Sequence, residues 1–574
     1  MITNQVAVSL HLPPICSYVY VMTLQVVLAA LCCLVIPLGA YSHEQHPLYS
    51  CRLEAEEPGS LPWDAPLSKD ATGNLIFHSL ASLMQMKPNS RYPNGHSIVQ
   101  ASIPPGTLLY HGRGDKGYPY MDWLAFDPEH SRIFARGENG TLFTFSSTRE
   151  LKLLYFDGCS ANNLGSVTDA QDILVWGEVN HGPRDPWDWQ SQVDRINETC
   201  AWGRPYGVDG YIRMEFDFEI MYCDFSDGLE LVSAMPAVNE GGRPPPHGPD
   251  KPDDRTESGV SFTVPASPSF ERQATYHGWH TSRADLRRPY FPPNPPEGWK
   301  GTWPVINNAI RHAGSWHNDF PGDIRVHPDP STLISFYDPA LTSLVAARRS
   351  MSRDDYRPGN ISAADMARVR AEVAEMMQRD AGERSGVDWR GLATVIQDRF
   401  GDRLPYLQHL LHQPATNVSE QVAKARKQFF DSLLPYMERP GLGEPEWFAQ
   451  IARNCATRFT AHLPAEKFTK QERVLRNAVD EVLHEICRVL TLAWTEAFDV
   501  EEKGPDIAVA LMEKWRGQVD ALIEWLDWPI WLKCEPACGI YEFCYVPQRG
   551  SPFNPEPDKD SDQTPRCVAI DSSW

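Results

Sequence analysis

The residues best suited to chemistry lie in two short stretches. The first is Leu109-Tyr110-His111-Gly112. A strand ending in Tyr-His-Gly delivers an imidazole at a backbone bend, and the glycine lets a ligand approach the main chain. This makes His111 a better site candidate than the other histidines. The second stretch is Met214-Glu215-Phe216-Asp217-Phe218-Glu219-Ile220. Strict alternation predicts one strand, with Met214, Phe216, Phe218 and Ile220 on one face and Glu215, Asp217 and Glu219 on the other. Three carboxylates on one face repel one another, which raises a pKa or favours a cationic ligand. The bland alternative is a half-buried strand with a solvated acidic face.

Other constellations carry less. Arg113-Gly114-Asp115 spells an integrin-type tripeptide, but three residues recur by chance and are read as a turn. His277, His280, His312, His317 and His327 lack the i,i+4 helical spacing of a zinc protease, so no metal site is expected there. His484-Glu485 falls in a long helix without a second His four residues on, and is read as helix surface or a satisfied bundle residue.

The elements that must position these groups change along the chain. Residues 43–235 read as an α+β domain. Short β-rich runs such as Gly106 to Tyr110, Thr141 to Phe145 and Leu151 to Asp157 are separated there by Gly, Pro and Asn. Residues 236–304 hold Pro244-Pro245-Pro246, Pro292-Pro293 and Pro295-Pro296 among many charges, and read as a linker or surface excursion. Tyr276, Trp279, Tyr290 and Phe291 in its middle could dock on a neighbour. Residues 305–533 are expected to be mainly α-helical. Ser362 with Asp365 resembles a capping box ahead of Met366, Val369, Val373 and Met376. Thr469 with Glu472 opens a helix from about Lys470 to Phe498, striped by Leu475, Val479, Val482, Ile486, Val489 and Ala493. Another helix follows Pro505, with Leu511, Trp515, Val519 and Leu522, and together these segments imply a bundle. Residues 534–574 form a short cysteine-rich tail.

Composition bounds the partners. The chain has 574 residues, 42% hydrophobic and 22% charged, enough to bury substantial cores. Its formal charge is −22, and no basic patch is visible, so no nucleic-acid partner is expected.

The first 42 residues hold no Asp, Glu, Lys or Arg, and the chain is almost continuously apolar from Ile15 to Ala40. A cleaved signal peptide is expected at residues 1–42, because Pro37 and Gly39 sit where cleavage sites lie. A retained single-pass anchor is the alternative, and only that alternative gives a membrane partner. Translation starting at Met22 would make the leader more compact. Three of the 13 cysteines fall in this segment. The remaining ten, Cys51, Cys159, Cys200, Cys223, Cys455, Cys487, Cys534, Cys538, Cys544 and Cys567, form an even set suited to disulfides. Cys534-x3-Cys538-x5-Cys544 lacks the paired form of a strong zinc motif, so a disulfide-stapled tail is favoured over a metal site. Sequons at Asn139, Asn197, Asn360 and Asn417 complete the expectation of a secreted or secretory-pathway glycoprotein.

Taken together, the two chemical stretches resemble the ADP-ribosyltransferase superfamily. Leu109-Tyr110-His111-Gly112 is similar to its first strand, Leu124 to Ala135 to the following strand and helix, and Asp217-Phe218-Glu219 to its acid-x-Glu element. The resemblance covers about residues 104–225, lacks a clear Ser-Thr-Ser motif, and has Phe126 or Leu124 near the position of a partner Tyr. It implies NAD as cofactor, held by Tyr110, His111 and Gly112. It also implies Glu219, with Asp217, stabilising the oxocarbenium-like charge that forms as nicotinamide leaves. The longer block also resembles a family of predicted secreted fungal proteins of unknown function. Three readings follow: an NAD-dependent or degenerate transferase-like protein, a non-catalytic carbohydrate- or protein-binding protein using Trp176, Trp187, Trp189 and Trp202, and a two-carboxylate glycoside hydrolase.

Overall fold

Ten strands pair into one sheet among the described residues. They are β1 (Ser97–Ile103), β2 (Leu108–Arg113), β3 (Asp122–Ala125), β4 (Thr141–Ser147), β5 (Leu151–Phe156), β6 (Gly210–Met214), β7 (Phe218–Tyr222), β8 (Leu229–Pro236), β9 (His327–Pro328) and β10 (Ile334–Ser335). The computed structural model describes residues 62–162, 166–179, 189–237, 318–380, 382–414, 417–442, 444, 446–498, 500, 507–547 and 563–569. The expected targeting segment, Cys51, Trp187, His277, His280, His312, His317 and the Pro-rich stretch from residue 238 onward, with its Tyr276, Trp279, Tyr290 and Phe291, lie outside them.

In space the strands run β10-β1-β5-β6-β7-β3-β2-β4-β8, with β9 also on β1. Every pairing is antiparallel except β5 with β6. A parallel pair needs a crossover, and the chain between β5 and β6 carries α4 (Asp169–Val175) and α5 (Trp189–Gly203). The first three helices are α1 (Gly73–Ala81), α2 (Met86–Arg91) and α3 (Pro128–Arg132). Past residue 341 come α6 (Thr342–Arg348), α7 (Ala363–Gln378), α8 (Trp389–Phe400), α9 (Arg403–His412), α10 (Val418–Leu433), α11 (Glu446–Thr457), α12 (Lys470–Ala497) and α13 (Ala508–Leu526). The mixed sheet followed by a helical region agrees with the α+β and α-helical expectation. The expected boundary shifts, because β9 and β10 fall within the stretch read as helical and return to the edge of the sheet.

Helices cover both sheet faces. Val99, Leu109, Leu124, Phe145, Ile212 and Ile220 share a core with Leu75 and Phe77 of α1, Trp389 of α8, Leu475 of α12 and Trp515 of α13. On the other face Ile98, Leu154, Tyr211 and Met221 pack with Ile173 of α4, Ile196 of α5 and Val373 of α7. A strand covered on both sides is apolar on both sides, which explains the near-continuous run of β5. Sheet and helices therefore share one core, and the described residues from Trp63 onward form one compact unit.

The helix signals act locally. The Thr469 side chain accepts from the Glu472 N–H while Glu472 reaches back to the Thr469 N–H, closing the capping box of α12. Leu475, Val479, Val482, Ile486, Val489 and Ala493 are all buried along it. Ser362 caps α7 by accepting from the Asp365 N–H. The Asp365 carboxylate turns instead to Ser343, so that box is half closed. No helix among the described residues is long and apolar enough to cross a membrane.

Four disulfides form among the described residues: Cys200–Cys223, Cys455–Cys487, Cys534–Cys544 and Cys538–Cys567. The last two staple the tail around the hairpin of β11 (Glu542–Tyr545) and β12 (Arg566–Ala569). The sulfurs of Cys534, Cys538 and Cys544 lie within 4.8 Å of one another, a grouping that the two disulfides account for. Cys159 departs from the expectation of full pairing: it is buried, is not in a disulfide, and its thiol donates to the Asn89 carbonyl.

Candidate functional site

The run from Met214 to Ile220 is a hairpin, which corrects the expectation of one continuous strand. β6 ends at Met214, β7 begins at Phe218, and these two residues pair across the turn. Glu215, Phe216 and Asp217 make the connection. The Glu215 N–H donates to the Asp217 carbonyl, and Asp217 Oδ1 accepts from the Phe218 N–H at 2.7 Å. An Asp that bonds its neighbouring backbone favours a turn, and the turn spares the chain three like charges in one row.

Within the hairpin Arg213 lies directly opposite Glu219. Arg213 is buried, its Nε 3.1 Å from Glu219 Oε1 and its Nη2 on the same oxygen. Its Nη1 donates to the side-chain carbonyls of Gln192 on α5, at 3.1 Å, and Gln171 on α4, at 3.4 Å. A buried guanidinium is tolerated because its donors are satisfied this way. Both Arg213 bonds go to Oε1, so Glu219 Oε2 keeps no protein donor among the described residues, on a side chain 10% exposed.

α3 completes the cluster from above. His130 is buried, with Nδ1 3.7 Å from Asp217 Oδ2 and Nε2 3.9 Å from Glu215 Oε1. Its ring packs on Phe216 at 4.5 Å. Burial opposes a charge on His130, but Asp217, Glu215 and Glu219 outweigh it and raise its pKa above the usual histidine value. Burial, reinforced by Glu219, pushes the Glu215 carboxyl up to about 7.

Gly112 explains how α3 reaches this position. A Cβ there would sit 1.8 Å from the Ser131 carbonyl oxygen. The glycine expected to admit a ligand instead admits the backbone of α3.

His111 lies elsewhere. Tyr110 pairs with Ala125 and Ala125 with Glu219, so these three share a sheet face. His111, the next residue along β2, points to the opposite face. There it is ringed by Phe143 and Phe225, its Nδ1 donates to the Trp123 carbonyl at 2.7 Å, and its Nε2 is 3.7 Å from Asp122. Burial lowers its pKa, with Asp122 only partly offsetting. Tyr110, half-buried beside Asp127, Glu129 and Arg325, has its phenol pKa raised, mainly by burial and next by Asp127.

The structure therefore brings Glu219 and Asp217 together with His130, Glu215 and Arg213, and does not bring His111 to them. Of the three residues expected to hold NAD, Tyr110 and Gly112 share the sheet face of Glu219, whereas His111 lies on the opposite side of the sheet. Sequence reasoning singled out neither His130, Arg213, Gln171 nor Gln192 as functional. His130 carried a signal, as an imidazole just inside a helix opened by Pro128, whereas Arg213 carried none.

The remaining candidates fall in place separately. Trp176 is 38% exposed under the guanidinium of Arg195, and Trp202 packs on Tyr206. Arg113 and Asp115 pair within a bend, as the turn reading expects. His484 Nε2 meets the Ala65 carbonyl at 2.9 Å, and His327 sits exposed in β9.

These features define a class: a mixed sheet merged with a helical bundle, with a disulfide-stapled tail and a charged cluster at one hairpin end. Residues 135–241 match the family model described as the YPL277C N-terminal domain. That stretch contains Arg213, Glu215, Asp217 and Glu219, whereas Tyr110, His111 and His130 precede it. Over 535 residues the chain is 24% identical to uncharacterized protein YOR389W of Saccharomyces cerevisiae, covering 83% of this chain and 81% of that protein. It is 30% identical over 209 residues to uncharacterized protein YPL277C of the same yeast, covering 28% of this chain and 43% of that protein. Together these matches support a fungal family whose curated relatives are uncharacterised. No solved structure matches.

Proposed function

We propose that the protein is an exported, disulfide-bonded glycoprotein whose sheet domain is a degenerate transferase-like frame that does not cleave NAD. The observation that carries this reading is the placement of His111 and Glu219 on opposite sheet faces. An oxocarbenium-forming transfer needs ribose and carboxylate in one cleft, and a sheet separates the two groups that would supply it. Export is supported by eight cysteines in four disulfides, bonds that persist in oxidising compartments. Glycosylation is supported by the exposure of Asn139 and Asn417, with Asn360 half-buried. Asn197 is a poorer acceptor, since its sequon lies within α5 and Thr199 is fully buried.

The test is to express the full chain in a fungal host, recover it from the medium, and incubate it with NAD beside Glu219→Gln. The expected result is secreted protein with no nicotinamide release above the variant. Retention of all the protein inside the cell would refute export, and release that disappears in the variant would refute the degenerate reading.

A further inference from the structure

We propose that the cleft between α10 and the end of α12 binds a free medium-chain fatty acid, with the acyl chain on an aromatic floor and the carboxylate against Arg426 and Lys427. The site shares no residue with the hairpin cluster, and it stands whether or not the sheet acts on NAD.

The cleft follows from how α10 divides its faces. Val422, Ala425, Phe429 and Leu433 are buried at spacings of three and four, the stripe that seats the helix. The row beside it, Ser419, Ala423 and Phe430, is exposed and meets Trp494, Ala497 and Phe498 across a cleft of about 510 Å³. Close-packed helices leave no space of that size, whereas ligand pockets commonly have it. Alanines at 423 and 497 put only methyl groups into it. Trp494, 3% exposed, makes the floor, its ring 5.4 Å from Phe498 and 6.2 Å from Phe430. Trp447 and Phe448 of α11 pack on the same indole at 5.6 and 5.2 Å, so the floor is held by its neighbours. Phe430 is 38% exposed on the wall, apolar surface from which an alkyl chain would displace water.

The charges define the other end of the ligand. Among the described residues that line the cleft, Arg426 and Lys427 are cationic and none is a carboxylate. That runs against the net charge of −22, and screening beyond about 8 Å leaves these two cations to decide the local preference. The guanidinium carbon of Arg426 lies 4.3 Å from the Phe498 ring centroid, a stack that holds its plane. A guanidinium so held can meet a carboxylate with two parallel N–H donors. Lys427 is the looser partner, exposed and shared with Asp431 at 2.5 Å. The next row round α10 carries Glu420, Lys424 and Asp431, so the apolar strip is one acyl chain wide and too narrow for a partner helix. From Arg426 back to Ser419 the strip follows α10 for about 10 Å, the reach of a medium chain.

The test uses the full chain and decanoate, with 1-decanol as the uncharged counterpart, in calorimetric titrations below the micelle concentration. Saturable binding of one decanoate per chain is expected. Arg426→Gln is expected to weaken it about tenfold, and 1-decanol to bind more weakly than decanoate by a similar factor. Ala423→Trp, at an exposed helix position, keeps both cations and is expected to abolish binding by filling the cleft, with circular dichroism and urea midpoint unchanged. No saturable binding to wild type, unaltered affinity in Ala423→Trp, or equal affinity for 1-decanol would overturn the proposal. Two further results would also overturn it by naming another occupant. A wild-type dimer that Ala423→Trp dissociates would give the cleft to a second copy. Binding that emerges only in Glu501→Gln with Glu502→Gln would give it to the chain's own acids, which follow Val500 outside the described residues.

Discussion

Gly112 has no side chain because the Ser131 carbonyl occupies the space where a Cβ would go. Replacing it with Ala is expected to push α3 off β2 and cost on the order of 3 kcal/mol, an overpacking penalty against backbone that cannot rotate away. Urea unfolding of Gly112→Ala checks this, and an unchanged midpoint would mean that α3 is not seated there. The need for a glycine was legible beside His111, but not what came close to it. His111 was likewise legible as an imidazole on a strand and not as a core residue, because an aromatic box is assembled from Phe143 and Phe225, residues far apart in sequence.

Among the elements, α12 was the most legible. Its cap, its stripe and its end follow from hydrogen bonds and spacings within about four residues. The β6–β7 hairpin was the least legible, since alternation looks the same whether a strand continues or folds back after three residues. Two elements are also tied covalently: Cys455 of α11 and Cys487 of α12 close a loop of sequence separation 32. Removing both with Cys455→Ala and Cys487→Ala is expected to cost about 3 kcal/mol, because the unfolded chain regains the freedom that the bridge took from it. Denaturation of the double variant in urea reads this directly, and equal stability would show that packing of the two helices alone holds them.

For the whole molecule, acid response is a balance of buried groups with opposite signs. Burial holds His78 near a pKa of about 4 and His96 near about 3, so the unfolded state takes protons first and stability falls as pH drops below about 6.5. Asp157 acts the other way. Burial raises its pKa to about 6, although its Oδ1 accepts from the His96 and Ser97 N–H groups at 2.6 Å each. Its folded pKa lies above the unfolded value, so its contribution is fully present below about pH 3.8 and is lost as pH rises through about 6. Asp157→Asn keeps an accepting oxygen and removes the charge. The variant is therefore expected to gain on wild type by on the order of 3 kcal/mol between pH 4 and pH 7. Thermal melts of both proteins across that range test it, and a constant difference would show that Asp157 does not change charge on folding.

What the sequence determined by itself was everything that depends on near neighbours: the capped helices α7 and α12, the striped α13, short strands such as β2, β4 and β5, and a tail crowded with cysteines. Only the tertiary structure decided which sheet face His111 and Glu219 occupy, the return of β9 and β10 to the sheet, and the meeting of His130 on α3 with Arg213, Glu215 and Asp217. The physical reason is register. A side chain's face depends on the pairing of strands that are distant in sequence, and a sheet buried on both sides loses the polar alternation that would have revealed it.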